Sequence, residues 1–416
     1  VPKTMTPLLV TVLVVYSAQQ LLTPILAPLS RELALSETQL GIVVTVAAAA
    51  LTVASPLWGH ALQRFGLRAV LLSGLGLATA GLAGFAAVAA AGIGGETSPS
   101  VTFTLMLVTR SVVFGAGLAA VPVAALAVAG TVTTGEAERT RAVGFVGAVQ
   151  GLSLVLGPAG GGALAVLSLM LPLYLAPALT ALVTAWVLAT VPQTPTVRRD
   201  GPRAAGVRPW SAPLWPLFAM GFLLYLSLGL VQVVIGFLVA DRLHLDPQAT
   251  AGAVGVVLFA AGLVLVAVQG AVVPKLGWPA LRLLRTGAPI AAASFALLAV
   301  SHHLWSITAA FAVLALGLGL AIPGFTAAPT LVVGAEQQGS IAGLINATVG
   351  ATFIAGPLLG TALYEASPML PILASLTAAA VALVLAWTVP APHRPGAAGA
   401  APQTPRTTEE ERLPGH

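Results

Sequence analysis

One charged side chain falls deep inside a long apolar run of this 416-residue chain: Arg110, within the stretch 101–130. None of the 13 acidic residues does; they stand at the ends of such runs or between them. An ion at bilayer depth costs at least about 2.5–3.5 kcal/mol on insertion scales, so Arg110 requires a partner or a task. Glu32, beside Arg31 at the end of the first run, is the acid best placed for it. With that run extended slightly, Glu32 pairs with Arg110 and exchanges it for a proton or an anion. The runs also carry uncharged polar residues: Tyr16, Gln19, Gln20, Gln150, Tyr225, Gln232 and Asn346. Amides and phenols at such depth bond either a neighbouring helix or a ligand. Combined with one cation they suit recognition of a small neutral or anionic molecule, because no buried acid exists to pair a positive charge. Catalysis lacks its parts. Cysteine is absent, and no activated nucleophile or paired acids are visible. His302 and His303 are adjacent, so they share no helix face, and no carboxylate accompanies them. No metal and no cofactor are expected, and with no phosphate-binding glycine loop, ATP is not expected to supply the energy.

The elements that position these residues follow from composition. The chain is 57% hydrophobic and 7% charged, against about a quarter charged in a soluble domain. A membrane-crossing helix needs about 20 apolar residues. Twelve such runs fall at 7–29, 38–58, 69–93, 101–130, 141–167, 171–191, 213–239, 249–273, 283–301, 305–334, 340–364 and 368–390. The first reads as a span rather than a removed signal peptide, since no small-residue cleavage site follows it. Of the 18 Lys and Arg, all but Arg31, Arg110 and Arg242 lie in the termini and the alternate loops that share their side. Basic loops stay cytoplasmic, so both termini are expected there. The polar interruption at 192–212 reads as a linker between halves 1–191 and 213–390, and 391–416 as a disordered cytoplasmic tail. The high pI is explained by topology, so no nucleic acid is expected as a partner; the chain is expected to act as a monomer in the lipid bilayer.

Two patterns repeat at about half the chain length. Gly59, Arg64 and Gly66 after span 2 recur as Gly270, Lys275 and Gly277 after span 8, 211 residues later. In span 5, Gly151, Gly157, Pro158 and Gly161 recur in span 11 as Gly350, Gly356, Pro357 and Gly360, 199 residues later. Glycines at helical spacing let backbones approach closely, and a proline within a span permits a bend. Six-span copies must have parallel topology, because an even number of crossings returns the chain to one side.

Gly59, Arg64, Gly66 and Arg68 together resemble the loop 2–3 signature of the major facilitator superfamily, with Gln63 where the family usually has Asp. The span-5 pattern is similar to the glycine-proline signature of its drug:proton antiporters. Arg110 resembles that family's span-4 Arg, implicated in proton transfer, although Gly115 follows five residues on rather than the usual four. The resemblance implies an all-α membrane protein of twelve transmembrane helices in two parallel six-helix halves. It implies a secondary transporter that exports a small lipophilic or amphipathic molecule by alternating access, with protons as the coupling ion. The alternative is a facilitator or importer of a small neutral or anionic metabolite. Proton coupling sits poorly with spans that hold no acid, since an Arg cannot lose its proton.

Overall fold

The computed structural model describes residues 5–131, 136–191, 210–211, 214–334 and 337–388. The tail at 391–416 and nearly all of the linker at 192–212 lie outside them. The described regular structure is entirely helical. Its 12 apolar helices are Thr6–Glu32, Glu37–Phe65, Leu67–Ile93, Pro99–Ala129, Ala142–Leu167, Met170–Thr190, Trp215–Gln232, Pro247–Leu276, Ala280–Ala299, Leu304–Leu331, Ser340–Ala366 and Leu370–Thr388, hereafter spans 1–12. Hydrocarbon supplies no hydrogen-bond partner to a backbone amide, so each crossing closes its own bonds as a helix.

Connections are short and chemically specified. Ser36 caps span 2 by accepting from the Gln39 amide at 3.2 Å, while the Gln39 side chain accepts from the Ser36 amide at 2.9 Å. Asp246 accepts from the Ala249 amide at 2.7 Å at the start of span 8. Span 2 ends at Gly66 with φ +81° and ψ 172°, and span 8 ends at Gly277 with φ +55°. The repeated glycine thus has one local cause, a chain reversal that L side chains resist. The run at 141–191 divides at Ser168–Leu169 into two helices.

The six-span halves are built alike. Arg68 Nη2 donates to the Leu188 carbonyl at 2.8 Å, tying span 3 to the end of span 6. Arg285 Nε donates to the Ala386 carbonyl at 2.9 Å, tying span 9 to the end of span 12. A cation on the last carbonyls of a helix also meets the negative end of its dipole. A Cβ added at Gly157 or Gly161 would collide with span 1 at Gln20 and Leu21, and one at Gly356 or Gly360 with span 7 at Gly229 and Leu230.

Between the halves, the described residues approach most closely from one face to mid-span. Toward the face that carries Arg31 and Asp241, Gly41 of span 2 lies against the Pro357 carbonyl and Thr361 of span 11, Thr45 Oγ1 donates to the Ile354 carbonyl at 2.8 Å, and Gly162 of span 5 crosses Gly255 of span 8. Toward the opposite face, which carries Arg64, Arg68 and Lys275, the glycines of these spans make no such approach. This corrects the expectation of close backbone approach at Gly59, Gly151 and Gly270, where an added Cβ would meet nothing within 4 Å, and at Gly350, where it would meet only Thr52 Oγ1 at 3.9 Å. These glycines lie toward the ends of spans 2, 5, 8 and 11 that are opposite the Arg31–Asp241 pair.

The two glycines of the loop 2–3 pattern therefore respond differently to a methyl group. Gly66 occupies a backbone region almost exclusive to glycine, and Gly66→Ala is expected to cost about 1–3 kcal/mol. Gly59 is helical with open space around it, and Gly59→Ala is expected to gain up to about 1 kcal/mol from helix propensity. Thermal melts of the two purified variants check this; equal melting temperatures would contradict it.

Candidate functional site

Span 1 is not one continuous α-helix. Pro24 has no N–H to offer the Gln20 carbonyl, so Thr6–Leu21 ends in a short 3-10 turn at Thr23–Ile25 before helix resumes at Leu26–Glu32. Span 7 stops at Gln232, and a further helix, Ile235–Leu243, follows the break at Val233–Val234. Gln20 and Gln232 thus stand at matched breaks in the two halves. Irregular backbone at this depth is tolerated where it lines a cavity.

A cavity is present there. An open space of about 700 Å³ is lined by spans 1, 5, 7, 8 and 10, and its polar lining consists of Gln20, Thr23 and Gln232. The remainder is apolar, including Leu258 and Leu265 of span 8 and Phe311 and Leu318 of span 10. Two carboxamides approach from opposite halves, each offering donors and an acceptor, with no ionisable group in the lining.

Other polar residues singled out in the sequence are distributed around this space. The Tyr16 hydroxyl faces the Gln150 side chain. Tyr225 packs edge-on against Phe325 at 6.1 Å and Phe353 at 6.4 Å between ring centroids, forming an aromatic cluster of spans 7, 10 and 11. Gln19 Oε1 is buried without a hydrogen-bond partner. Asn346 is exposed on the separated end of span 11.

Arg110 is 6% exposed and does not line that cavity. Its guanidinium lies over the Phe114 ring at 4.9 Å, and its Nε is buried with no partner. Residues 107–113 form a π-helix, in which bonds run from i to i+5. The extra residue between Arg110 and Gly115 is absorbed by this wide turn. Gly115 still faces span 2, where a Cβ would come within 2.7 Å of the Ala47 carbonyl. The five-residue spacing is therefore a helix of different pitch. Ser111 fixes the segment by donating to the Val43 carbonyl at 2.6 Å.

The anticipated Glu32–Arg110 pair does not form. Glu32 is exposed at the end of span 1, and Arg110 makes no ion pair among the described residues. Stacking on a ring is worth about 2 kcal/mol for a desolvated cation, whereas burying one costs several kcal/mol. Most of the cost at Arg110 is left unmet.

The charged partner at that end belongs to Arg31. Its guanidinium is bidentate to Asp241, at 2.5 and 3.0 Å, and reaches Glu37 at 3.3 Å. It also lies 5.1 Å from the centroid of Phe237. Tyr364 donates to Asp241 at 2.7 Å, and Thr38 donates to Glu365. Spans 1 and 2 are thereby joined to the end of span 7 and to span 11. Sequence reasoning missed this latch, although Arg31 and Asp241 lie 210 residues apart, close to the repeat offset. Nearby Arg242 is part of the frame: its Nη1 donates to the Leu298 and Ser301 carbonyls, each at 2.6 Å.

The sequence model of the Major Facilitator Superfamily matches residues 8–357. The chain belongs to this superfamily. It is a multi-pass membrane transporter for a small-molecule substrate and not an enzyme. It is 28% identical over 361 residues to the class G tetracycline resistance protein of Vibrio anguillarum, covering 83% of this chain and 86% of that protein. It is 26% identical over 362 residues to the class B tetracycline resistance protein of Escherichia coli, covering 83% and 85% respectively. The fold is that of a bacterial homologue of the iron transporter ferroportin solved in an inward-facing state, with a TM-score of 0.72 at 14% identity over 92% of this chain and 98% of that one.

For a superfamily transporter, the latch has a defined strength and pH range. Partly exposed ion pairs are worth up to about 1 kcal/mol, a few-fold in an equilibrium. Burial works to raise the Asp241 pKa, but the hydrogen bonds from Arg31 and Tyr364 outweigh it and hold the carboxyl below its ordinary value of 3.8. A lowered carboxyl pKa stabilises the latched form above the ordinary value and loses that effect as pH falls through the lowered one. Asp241 itself is accordingly expected to stay ionised in the latch between about pH 5.5 and 8. The chain has no Cys, so Thr45→Cys between spans 2 and 11 provides a single thiol for a water-soluble maleimide. Adding Asp241→Asn should raise its labelling rate about two- to fivefold. An unchanged rate would remove the latch role.

Proposed function

We propose that this transporter exports a small lipophilic or amphipathic molecule by alternating access, its two halves rocking about the cavity at Gln20 and Gln232. The observation that carries this reading is the placement of that mostly apolar cavity between two halves that pack backbone to backbone toward one face. A fixed site with one closed and one open side is what alternation between two accesses requires. Export is supported by similarity to two tetracycline resistance proteins.

The separated face carries the basic loops, which favours the cytoplasm for that side and for both termini in a bacterial inner membrane. The structure then corresponds to the inward-facing state, with the Arg31–Asp241 latch closed on the outside. Tyr16, Gln19, Gln150 and Tyr225 join Gln20 and Gln232 as substrate contacts. Asn346 lies on the route in, and the paired glycines of spans 5 and 11 are the pivots against spans 1 and 7. We assign the chain as a monomer without nucleic-acid partners. Proton coupling rests on resemblance to drug:proton antiporters.

A second reading, a facilitator or importer of a small neutral or anionic metabolite, is favoured by one feature, the unneutralised charge of Arg110. Growth inhibition separates the two. An efflux-deficient bacterium expressing this chain should tolerate several-fold more of at least one uncharged lipophilic drug. Gln20→Leu and Gln232→Leu, matched for membrane expression, should each lose most of that protection, because a pocket built to bond a polar group loses affinity when the bond is removed. Full protection in both variants would dismiss the cavity as the site. Absence of protection against any drug, with the protein in the membrane, would favour the metabolite reading.

A further inference from the structure

Arg110 is a buried cation whose guanidinium donors are unspent by the described protein groups. Nε has no partner, and one face of the group is covered by Phe114. Among the described residues, carboxylates sit only at or beyond the span ends, with Glu32, Glu37, Asp241 and Glu365 at the latch face, and none lies at the depth of Arg110. The mount is rigid nonetheless. The π-turn, the Ser111 bond to Val43 and the Trp58 Nε1 bond to the Ala116 carbonyl at 2.7 Å hold the segment against span 2. A fixed, unpaired, desolvated guanidinium is prepared for an oxyanion, with which it forms short charge-assisted bonds.

We propose that Arg110 is a monoanion site, and that its occupant is the carboxylate of an amphipathic organic acid carried by this protein. The inference rests on the transport reading above and narrows its substrate class. Depth supports it. Arg110 is 11 residues from Pro99 and Gln20 is 12 residues from Glu32, so both lie about 16–18 Å from the latch face along their spans. Spans 1 and 4 belong to the same half. The cavity, whose lining excludes Arg110, lies at this same level and offers amides and hydrocarbon but no charge to the apolar body of such an acid. A lipophilic cation is disfavoured at this depth, where the fixed charge is positive. The chemistry at Arg110 is shared by a free inorganic anion such as chloride, so the test separates the two.

Purified full-length protein in nanodiscs is melted with sodium salicylate, with its uncharged analogue salicylamide, and with chloride replaced by gluconate. Salicylate should raise the melting temperature saturably, as a ligand of the folded state does, and salicylamide should have little effect. Arg110→Lys should retain the response in weakened form. Arg110→Gln should need at least about tenfold more salicylate for half the shift, the loss of one charged hydrogen-bonding partner. Inward salicylate counterflow in proteoliposomes should fall in parallel. An equal response to salicylamide, or a wild-type response to salicylate that survives Arg110→Gln, overturns the proposal. Stabilisation by chloride without any by salicylate overturns the organic-acid assignment. Protection against uncharged drugs through Gln20 and Gln232 is read separately, so failure here leaves the export reading standing, and the reverse also holds.

Discussion

Lipid offers no partner to a backbone amide or carbonyl, and most features of this protein follow from where that rule is kept and where it is relaxed. Twelve helices keep it by closing their bonds internally. Departures among the described residues are local: the 3-10 turn after Gln20, the break after Gln232, the π-turns at Leu107–Val113 and Val268–Val272, and the 3-10 turn Pro329–Leu331 at the end of span 10. The first two breaks flank the central cavity. The first π-turn holds the unpaired cation. At Gln20 and Gln232, backbone irregularity, polar side chains and accessible space thus coincide, since each makes the others less costly.

The contact between halves has an energetic logic of its own. At the latch face, glycine against backbone brings spans 2 and 11, and spans 5 and 8, close enough that an added methyl would collide. Such contacts are good packing without large apolar side chains, and they depend on alignment rather than on hydrophobic force. The ion pair added to them is partly exposed, with side chains 37% and 39% accessible. A fully buried bidentate pair would be costly to open because each separated charge would lose its partner in a poor solvent. A surface pair contributes a few-fold bias toward one conformation, which a substrate can overcome.

The span count and the two-half organisation were legible in the sequence because hydropathy and basic-loop placement are local signals, and the glycine patterns reported the repeat directly. The partnership of charges was not. Glu32 and Arg110 were matched by depth, but depth ignores azimuth. Arg31, one residue from Glu32, is the side chain that turns toward the other half, and Arg110 lies on a π-turn whose wider pitch no hydropathy pattern shows. The glycines gave mixed information for a related reason. Gly157 and Gly161 pack within one half, whereas Gly59, Gly151 and Gly270 occupy ends that are apart in this conformation. A sequence is compatible with every state of a cycle, and one structure displays a single state.

Charge balance then constrains how transport is energised. A proton exchanged at the midplane needs a group that gains or loses charge there, and the described spans offer no carboxylate at that depth. Asp241 and Glu37 meet conformation at the latch, yet Asp241 is held ionised by Arg31 and Tyr364 well below neutral pH. Among the described residues the one fixed midplane charge is Arg110, which stays protonated at any physiological pH. A cycle in which Arg110 remains charged throughout must bear an unneutralised cation in hydrocarbon or neutralise it with an anion, either a free one or, as proposed, the one that is carried. The second costs less, and it makes the charge of the cargo part of the stability of the occupied state.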